Sequence, residues 1–595
     1  MSGHGGTQAR FRSIMRRTLN PRPLLEADSD PRERGMAGFR HFIRAPAPAE
    51  RFSIAGQVFD PSNDKQFAAA EDLMHKLADM IEAAPVPQGQ EDGISAWFNR
   101  GIPSGFTYFL QFIAHDMVSS SVTLSRSEAQ TAGFANQRRV PFRLDAIYGG
   151  GPAVCPHVYQ PDPAVDLRTR LRLGKARDDT TGKLRDIARG RDTTVPDGSN
   201  LYPEALVADP RNDMHALISQ MTVLFHHLHN SVVETLAQDK TLPPTGNGFA
   251  AAQRNFFAAQ SACIFIYRHL IREDLLPRIL HPDVYARYRT GEGPFLEEWK
   301  ELSEDVWSAP LEFTHGIMRF GHSMIRPKYS FNELTTFPAP DDPASPDKSF
   351  RFKDIMVFNS DLSPDQMPLL TKWTVDWQRF FGDDPKSGNF SVRLGPWTHR
   401  GLEVAIEDQK PAGGGSLIYR DLIGAAITCP WSVGALIAEI TKTHGDLIAG
   451  SALLQGDATS PAGARPWGPA MNAWLAQQRG RVATPPTDDD IAAIVQDPPM
   501  PFFVRFEAAH APGASGKHLG IFGSIVMADI FFGVLKQDRI LGIDPLADLG
   551  TQLAEVSRLT LEADGKLQHL AVIKDFNALI DYLGDAIAFP SGAGN

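Results

Sequence analysis

Helical periodicity is the feature that most constrains the fold of this sequence. Apolar residues recur at intervals of three and four over long stretches, most strongly at 212–238, 250–277 and 311–325. Strand-like alternation is sparse, and no unit of roughly 20–50 residues repeats along the chain. We therefore predict a mainly α fold with little β structure. Further helices are predicted at 66–82, 103–118, 365–382, 431–449, 466–479 and 517–536.

Long loops separate these helices. Residues 119–200 contain a Gly/Pro cluster, YGGGPAVCPHVYQPDP, and a charged run, while residues 333–350 are rich in Pro, Asp and Ser. Residues 1–60 are rich in Arg, Pro, Ala and Gly and predict an irregular N-terminal arm. Residues 61–595 are then predicted to form one large helical domain with long loops, which are common locations for binding sites.

Composition and charge exclude several classes of function. The 595 residues carry a formal net charge of −11, and no basic face follows the extreme N-terminus, so a nucleic-acid partner is not expected. No membrane span is predicted, because apolar segments such as SIVMADIFFGVL are short and contain Asp529. The N-terminal segment lacks the apolar core of a secretory signal. Three well-separated cysteines without a CxxC pair fit a reducing compartment. We therefore expect a cytoplasmic protein, or one exported without a recognisable signal peptide.

The segment YFLQFIAHDMV, residues 108–118, places a histidine among apolar residues. Gln111 lies four positions before His115 and shares its helical face, whereas Asp116 points about 100° away around the helix. One interpretation is a core histidine that is hydrogen-bonded to backbone. The other is a histidine at a functional site.

The segment ADPRNDMHALISQMTVLFHHLHN, residues 208–230, combines charged residues with the start of a long helix. Arg211 lies in the first turn, where a cation is unfavourable, so a specific anionic or polar partner is expected. Asp209 and Asp213 are both near this helix start, and a surface salt bridge is the alternative interpretation. The HHLH cluster further along lacks a carboxylate at metal-ligand spacing, so we interpret it as packing and hydrogen bonding.

The segment HGIMRFGHSMIRPKY, residues 315–329, carries a second histidine of chemical interest. Arg319 lies three residues before His322 on the same helical face. A ring nitrogen and a guanidinium on one face suit an iron porphyrin, in which the histidine binds iron and the arginine meets a propionate. His315 lies two turns earlier on a similar face and is a rival ligand, and purely structural roles are the alternative.

Together these segments resemble the animal-type haem peroxidases of the peroxidase–cyclooxygenase superfamily, particularly their bacterial members. QFIAHDM is similar to the distal-histidine motif of that family, ADPRND to its catalytic-arginine motif, and MRFGHSMIRPKY to its proximal-histidine motif. Further segments continue the match in order: IYRHLIREDLLPRIL, VDWQRFF, SLIYRDLIGAAI, PFFVRFEAA and LGIFGSIVMADIFFGVL. The resemblance covers roughly residues 95–570, and its specificity lies in the ordered set.

The resemblance implies one large haem-peroxidase domain and assigns roles on the distal side of the haem. His115 would act as the distal acid–base catalyst, with Gln111 in the same cavity. Arg211 would stabilise the negative charge that develops as the O–O bond of hydrogen peroxide breaks.

On the proximal side, the resemblance implies that His322 is the ligand of the haem iron. Arg319, Arg420 and Met214 would lie among the haem-binding residues. Asp421 stands where the family has an asparagine that hydrogen-bonds the proximal histidine. A carboxylate at that position would make the histidine a stronger electron donor.

Departures from the family's pattern change what the resemblance implies. Ala114 and Met214 stand where mammalian members carry the acidic residues that form ester bonds to haem, so we expect haem b without covalent links. Asp116 and Asp145 match calcium-ligand positions, but a Pro and an Ile replace two hydroxyl ligands nearby. Calcium is therefore a candidate cofactor with an incomplete set of ligands.

The leading functional expectation is a peroxidase that reduces hydrogen peroxide to water and oxidises small donors, such as phenolic or other aromatic compounds, iodide or bromide. A fatty-acid dioxygenase of the same superfamily is an alternative. That chemistry needs a tyrosyl radical beside the haem, and residues 350–400 offer Trp373 and Trp377 but no YxxH motif. A non-catalytic haem-binding protein is the other alternative, and a distal arginine argues against it.

Overall fold

The computed structural model describes residues 39–91, 94–119, 136, 138, 140–162, 167–190, 204–296, 307–338, 344–398, 416–428, 430–460 and 465–589. Helices dominate these ranges and strands are short, so the mainly α prediction is confirmed. One extended apolar core, rich in Phe, Leu and Ile, joins most of the helices.

The α-helices vary widely in length. In the described ranges they are Asp64–Ala83, Gly105–Met117, Asp145–Tyr148, Gly151–Val154, Ala216–Gln238, Gly248–His269, Leu276–Ile279, Pro282–Tyr288, Phe352–Met356, Gln378–Phe381, Leu417–Ile427, Val433–Ala449, Gly468–Arg479, Asp488–Gln496, Met500–His510, Ile521–Gln537, Leu549–Leu561 and Phe576–Leu583. Turns of 3₁₀-helix are Pro48–Glu50, Pro156–Val158, Pro210–Asp213, Ile317–Met324, Pro364–Gln366, Thr371–Trp373, Ile540–Gly542, Gln568–Val572 and Gly584–Ala586, and π-helical turns are Leu270–Leu275 and Glu312–Gly316.

The strands of the described ranges pair two by two. Five pairs are antiparallel: Ser53–Ile54 with Gln57–Val58, Gln90–Glu91 with Ile94–Ser95, Phe98–Pro103 with Phe390–Val392, Tyr159–Asp162 with Leu167–Leu171, and Lys328–Tyr329 with Phe350–Arg351. One pair is parallel and joins Phe39–Arg40 to Ala309–Pro310.

Local chemistry sets where the predicted long helices begin. The helix predicted at 66–82 starts at Asp64, because the Asn63 side chain accepts hydrogen bonds from two N–H groups of the first turn. The helix predicted at 212–238 starts later, at Ala216, where the His215 ring accepts the N–H of Ile218.

The prediction of a helix at 365–382 is wrong. This stretch, which is described throughout, contains only short helical turns. Pro368 lacks an N–H donor, and the Asn332 side chain donates hydrogen bonds to the carbonyls of Thr371 and Thr374. Tertiary side-chain contacts therefore satisfy the backbone in place of a continuous helix.

The segment predicted as a helix at 311–325 is wound irregularly. Glu312–Gly316 forms a π-helical turn, and Ile317–Met324 continues it as 3₁₀-helix. Such departures from α-helical winding are frequent at functional sites. This segment carries both histidines that compete as candidate ligands.

The described part of the predicted arm, residues 39–60, packs on the rest of the chain. The carboxylate of fully buried Glu312 accepts hydrogen bonds from His41 Nδ1 at 2.8 Å and from the N–H groups of Phe42 and Trp431 at 2.7 and 3.1 Å. These contacts join the arm to the segment that leads to His322. The domain boundary at residue 60 stays a prediction.

Neither a membrane span nor a disulfide is found in the part of the chain that the structure describes. The helices there are too short or too polar to cross a bilayer. Cys155 and Cys263 are free thiols. Cys429 lies outside the described residues.

Candidate functional site

Four segments that are far apart in sequence meet at the candidate site. The His322 segment (Ile317–Met324) packs against the Arg505 helix (Met500–His510). The Arg505 helix also contacts the Asp421 helix (Leu417–Ile427), and the His115 helix (Gly105–Met117) contacts the His322 segment. Both predicted histidine motifs therefore belong to one packed region.

His322 is hydrogen-bonded to a buried carboxylate. Its Nδ1 lies 2.8 Å from Oδ2 of Asp421, on the neighbouring helix. Because an ionised carboxylate can only accept, the neutral His322 ring carries its proton on Nδ1. The lone pair is then on Nε2, which is the nitrogen that a metal would need.

Asp421 has a second partner, Arg505, which was not among the predicted site residues. Arg505 Nη2 donates to the same Oδ2 at 2.8 Å and to the carbonyl of Arg319 at 2.6 Å. Burial alone would raise the pKa of Asp421, but the hydrogen bond from His322 and the guanidinium charges of Arg505 and Arg319 lower it overall. The only sequence signal for Arg505 is an arginine inside the apolar run PFFVRFEAA.

His115 is fully buried and bonded to an amide. Its Nδ1 lies 2.9 Å from Oδ1 of Asn212, while Nδ2 of Asn212 donates to the carbonyl of Ala146 at 3.1 Å. The amide oxygen therefore accepts from Nδ1–H of His115, and Nε2 is the basic nitrogen. Burial, followed by the nearby charge of Arg211, lowers the pKa of His115 to about 3.

Arg211 finds its anionic partner in Asp209, and both are buried. Its Nε and Nη2 donate to the Asp209 carboxylate at 3.1 and 2.7 Å, and Nη2 also donates to the His115 carbonyl at 2.8 Å. Arg138 shares this arrangement: its Nε donates to the same carbonyl at 2.8 Å, and its Nη2 donates to Asp209. Two guanidinium groups thus hold the backbone of His115.

Gln111 is paired with a different histidine, His215. Its Oε1 lies 3.0 Å from Nε2 of His215, whose Nδ1 accepts the N–H of Ile218 at 3.3 Å. His215 therefore donates from Nε2 to Gln111. Its position as a helix cap next to the ADPRND motif is the sequence signal that could have identified it.

Two histidines of the HHLH cluster form hydrogen bonds with backbone carbonyls in the interior, which agrees with their interpretation as packing and hydrogen-bonding residues. His226 Nδ1 lies 2.8 Å from the carbonyl of Arg172, and His229 Nε2 lies 2.8 Å from the carbonyl of Thr169. In the described ranges, no group of three or more His, Cys, Asp or Glu side chains is arranged to hold a metal ion.

Comparisons with known proteins place this site in a family context. The model of the animal haem peroxidase family matches residues 164–371, which include Arg211 and His322. Fatty acid alpha-dioxygenase from Oryza sativa has 13% identity and a TM-score of 0.51, and the match covers 97% of this chain and 89% of that one. The corresponding enzyme from Arabidopsis thaliana has 11% identity and a TM-score of 0.50, with coverages of 92% and 88%. Peroxidase A from Dictyostelium discoideum has 12% identity and a TM-score of 0.47, with coverages of 87% and 90%.

Residues 164–371 are thus similar to the animal haem peroxidase family, and the overall fold is similar to that of the fatty acid alpha-dioxygenases. The search of curated proteins found no match. Members of the animal haem peroxidase family bind haem, so the residues around His322 can be tested for their fit to that group.

Three observations around His322 fit a porphyrin. The guanidinium of Arg319 is partly buried and forms no hydrogen bond or ion pair with the described residues, which suits a propionate partner. A Cβ built on Gly321 would meet nothing within 4 Å, so open space lies beside the histidine. Arg420 is half-buried next to Asp421, and burial lowers its pKa.

The positions that carry haem esters in mammalian members of the superfamily hold no reactive carboxylate here. Ala114 is buried, and the carbonyl of Met214 accepts a hydrogen bond from Asn359 at 3.0 Å. Asp213, one residue before Met214, is engaged elsewhere: Arg189 donates to both of its oxygens at 2.9 and 3.1 Å.

The residues at the superfamily's calcium position do not fit that ion. Oδ2 and Oδ1 of Asp116 accept the N–H groups of Leu144 and Ala146 at 3.1 and 3.2 Å. Backbone donors thus occupy the oxygens that a calcium ion would need. Burial raises the pKa of Asp116, and the nearby charge of Arg138 offsets only part of this rise. Asp145 begins the short helix that follows, and its own backbone faces the same carboxylate.

Proposed function

We propose that this chain is a haem peroxidase that reduces hydrogen peroxide to water while it oxidises a small phenolic, aromatic or halide donor. Haem b would be bound without covalent links, with His322 as the ligand of its iron and Arg319 as the partner of a propionate. The observation that carries this proposal is the carboxylate partner of His322. An imidazole that donates Nδ1–H to a carboxylate is electron-rich, which favours O–O cleavage by the metal it binds.

When bound, the haem iron supplies the electrons that cleave the O–O bond. His115 accepts a proton from hydrogen peroxide at Nε2 and returns it to the departing oxygen, which leaves as water. The Asn212 hydrogen bond keeps Nε2 as the basic nitrogen, and the depressed pKa keeps the ring neutral at physiological pH. The charge of Arg211, close to His115, stabilises negative charge on the departing oxygen.

The assignment of the axial ligand can be tested with a matched pair of histidine variants. His315 is also buried, and its Nδ1 lies 2.9 Å from the hydroxyl of Thr314, so it is a fair control for His322. His322→Ala should lose haem or its histidine-ligated absorption spectrum, whereas His315→Ala should retain both. The reverse outcome would overturn the assignment.

The peroxide step can be tested by rapid mixing of the haem-loaded protein with hydrogen peroxide. General acid–base help is worth about 10²–10⁴-fold, so His115→Ala should slow the first spectral change by that order. Arg211→Ala should slow it as well. Arg138→Ala is the matched control, because Arg138 shares both partners of Arg211. Equal effects of the two arginine substitutions would remove Arg211 from the chemistry, and a haem protein that does not react would refute the peroxidase.

A pair of buried tyrosines favours fatty-acid oxygenation as a second candidate function. Tyr108 on the His115 helix and Tyr329, seven residues after His322, lie with ring centroids 5.7 Å apart. The dioxygenase chemistry considered for the sequence needs such a tyrosine. The test is oxygen uptake in the presence of hexadecanoic acid. Uptake should be lost in Tyr329→Phe and kept in Tyr288→Phe, which alters a buried tyrosine of the helix Pro282–Tyr288. This outcome would support the second candidate.

A further inference from the structure

Two donors of different character share one oxygen of Asp421. His322 Nδ1 and Arg505 Nη2 both lie 2.8 Å from Oδ2. The same lone-pair density therefore serves a neutral imidazole N–H and a cationic guanidinium. Both bonds have an ionised acceptor, but only the bond from Arg505 also has a charged donor, so Arg505 competes strongly for the oxygen and weakens the bond that Asp421 forms with His322.

The surroundings make this competition strong. Asp421 is 4% exposed and Arg505 is 1% exposed, and in such an interior the attraction between opposite charges is poorly screened. Nε and Nη1 of Arg505 have no hydrogen-bond partner among the described residues. In those ranges Asp421 is also the carboxylate with which Arg505 forms an ion pair. The guanidinium charge therefore acts mainly on Asp421.

Arg505 also holds the segment that carries His322. The second hydrogen of Nη2 reaches the carbonyl of Arg319 at 2.6 Å, three residues before His322. One nitrogen thus fixes the carboxylate relative to the backbone of the histidine. The position of Asp421 is therefore coupled to that of the His322 ring, whose Nδ1–H it accepts.

We propose that Arg505 is a positioning residue that limits electron donation by His322 to the haem iron, through its hold on Asp421. The proposal rests on the proposed function, in which His322 is the axial ligand. A carboxylate partner alone would draw the Nδ1 proton strongly and give the ring imidazolate character. Arg505 neutralises the carboxylate and returns the ring towards the behaviour of a histidine with a neutral partner.

The test is a double-substitution cycle on the haem-loaded protein with two readouts, the Fe(III)/Fe(II) midpoint potential and the iron–histidine stretching frequency of the ferrous form. At a fixed applied potential, Arg505→Met should lower the ratio of ferrous to ferric haem by about tenfold. For a one-electron couple this corresponds to a midpoint potential that is lower by about 59 mV. The stretching frequency should rise. In an Asp421→Asn background the Arg505→Met substitution should change neither readout, because the acceptor carries no charge.

Arg268→Met is the matched control for the loss of a buried arginine. Arg268 pairs with Asp538 and forms no hydrogen bond with His322, Asp421 or Arg505, so its removal should leave the potential unchanged. If Arg505→Met does not fold, Arg505→Lys carries the test: the ammonium keeps the charge at a changed distance, and a smaller shift of the same sign is expected. Equal shifts in both Asp421 and Asp421→Asn backgrounds, or no shift in either Arg505 variant, would overturn the proposal. A parent protein without histidine-ligated haem would instead overturn the proposed function.

Discussion

Asp209→Asn should loosen the His115 region more than any other single loss of charge near it. Asp209 is 1% exposed and accepts hydrogen bonds from the backbone and side chain of Arg211 and from Arg138. An asparagine has nearly the same shape but no charge. It would leave two buried guanidinium groups on the carbonyl of His115 without their shared counter-ion.

The magnitude follows from the number of charges left behind. Removal of one partner from a buried ion pair costs about 3–5 kcal/mol, because the remaining charge stays desolvated. The amide oxygen of an asparagine can still accept one donor, so the low end of this range, about 3 kcal/mol, is expected. At about 1.4 kcal/mol for each factor of ten, local opening should become roughly a hundredfold more frequent.

Hydrogen exchange followed by mass spectrometry is the suitable assay, since a chain of this size need not unfold in a single two-state transition. Peptides that cover Gly105–Met117 should exchange roughly a hundredfold faster in the variant. Asp213→Asn is the control. Its partner Arg189 is also bound by Asp186 at 2.9 Å, so that guanidinium keeps one counter-ion.

The comparison of the two variants decides the outcome. If Asp209→Asn accelerates exchange by less than about tenfold, or no more than Asp213→Asn does, then the two guanidinium groups do not depend on Asp209. The reasoning that a single carboxylate holds this cluster together would then be refuted.

Three further outcomes are expected. Burial raises the pKa of Glu507 to about 7 although it accepts N–H bonds at the start of Ile521–Gln537, so the folded state binds its proton more tightly than the unfolded chain does. Stability should therefore fall by about 3 kcal/mol as the pH rises from about 4.5 to about 7, and Glu507→Gln should remove this slope in chemical denaturation. Haem should extract into acidified organic solvent and leave unmodified protein by mass spectrometry, since Ala114 and Met214 offer no carboxylate; retained haem would contradict this. Because backbone N–H groups occupy Asp116, chelation with EDTA should leave the melting temperature unchanged, and a clear fall would restore the calcium site.

Periodicity predicted the long helices because each of them buries an apolar face against the core. The prediction failed at 365–382, where the pattern was apolar but the backbone is satisfied by side chains such as Asn332. It also described 311–325 as an ordinary helix, although that stretch is π-helical and 3₁₀. Both differences arise from tertiary contacts that lie far away in the sequence.

The residues of the candidate site were likewise only partly predictable from the sequence. Motifs were enough to single out His115, Arg211 and His322, because each lies in a short run with its own chemical signature. Their partners were less accessible to sequence reasoning. Arg505 donates a hydrogen bond to the carbonyl of Arg319, which lies 186 positions earlier in the sequence, and no local sequence pattern connects the two residues. Asn212 is adjacent to Arg211, yet its role depends on a helix 97 positions away.

The two histidines are distinguished by the charge of the group that each one donates to. Nδ1 of His115 donates to the neutral amide of Asn212, whereas Nδ1 of His322 donates to the carboxylate of Asp421. A neutral acceptor fixes which nitrogen is basic without stabilising the protonated ring, and burial then keeps His115 available as a base. A carboxylate acceptor instead strengthens the lone pair on the opposite nitrogen, which is what a metal ligand requires. The same type of hydrogen bond is therefore consistent with the proposed proton-transfer role of His115 and the proposed ligand role of His322. Asp421→Asn, which gives His322 a neutral acceptor like that of His115, should weaken the binding of iron by His322.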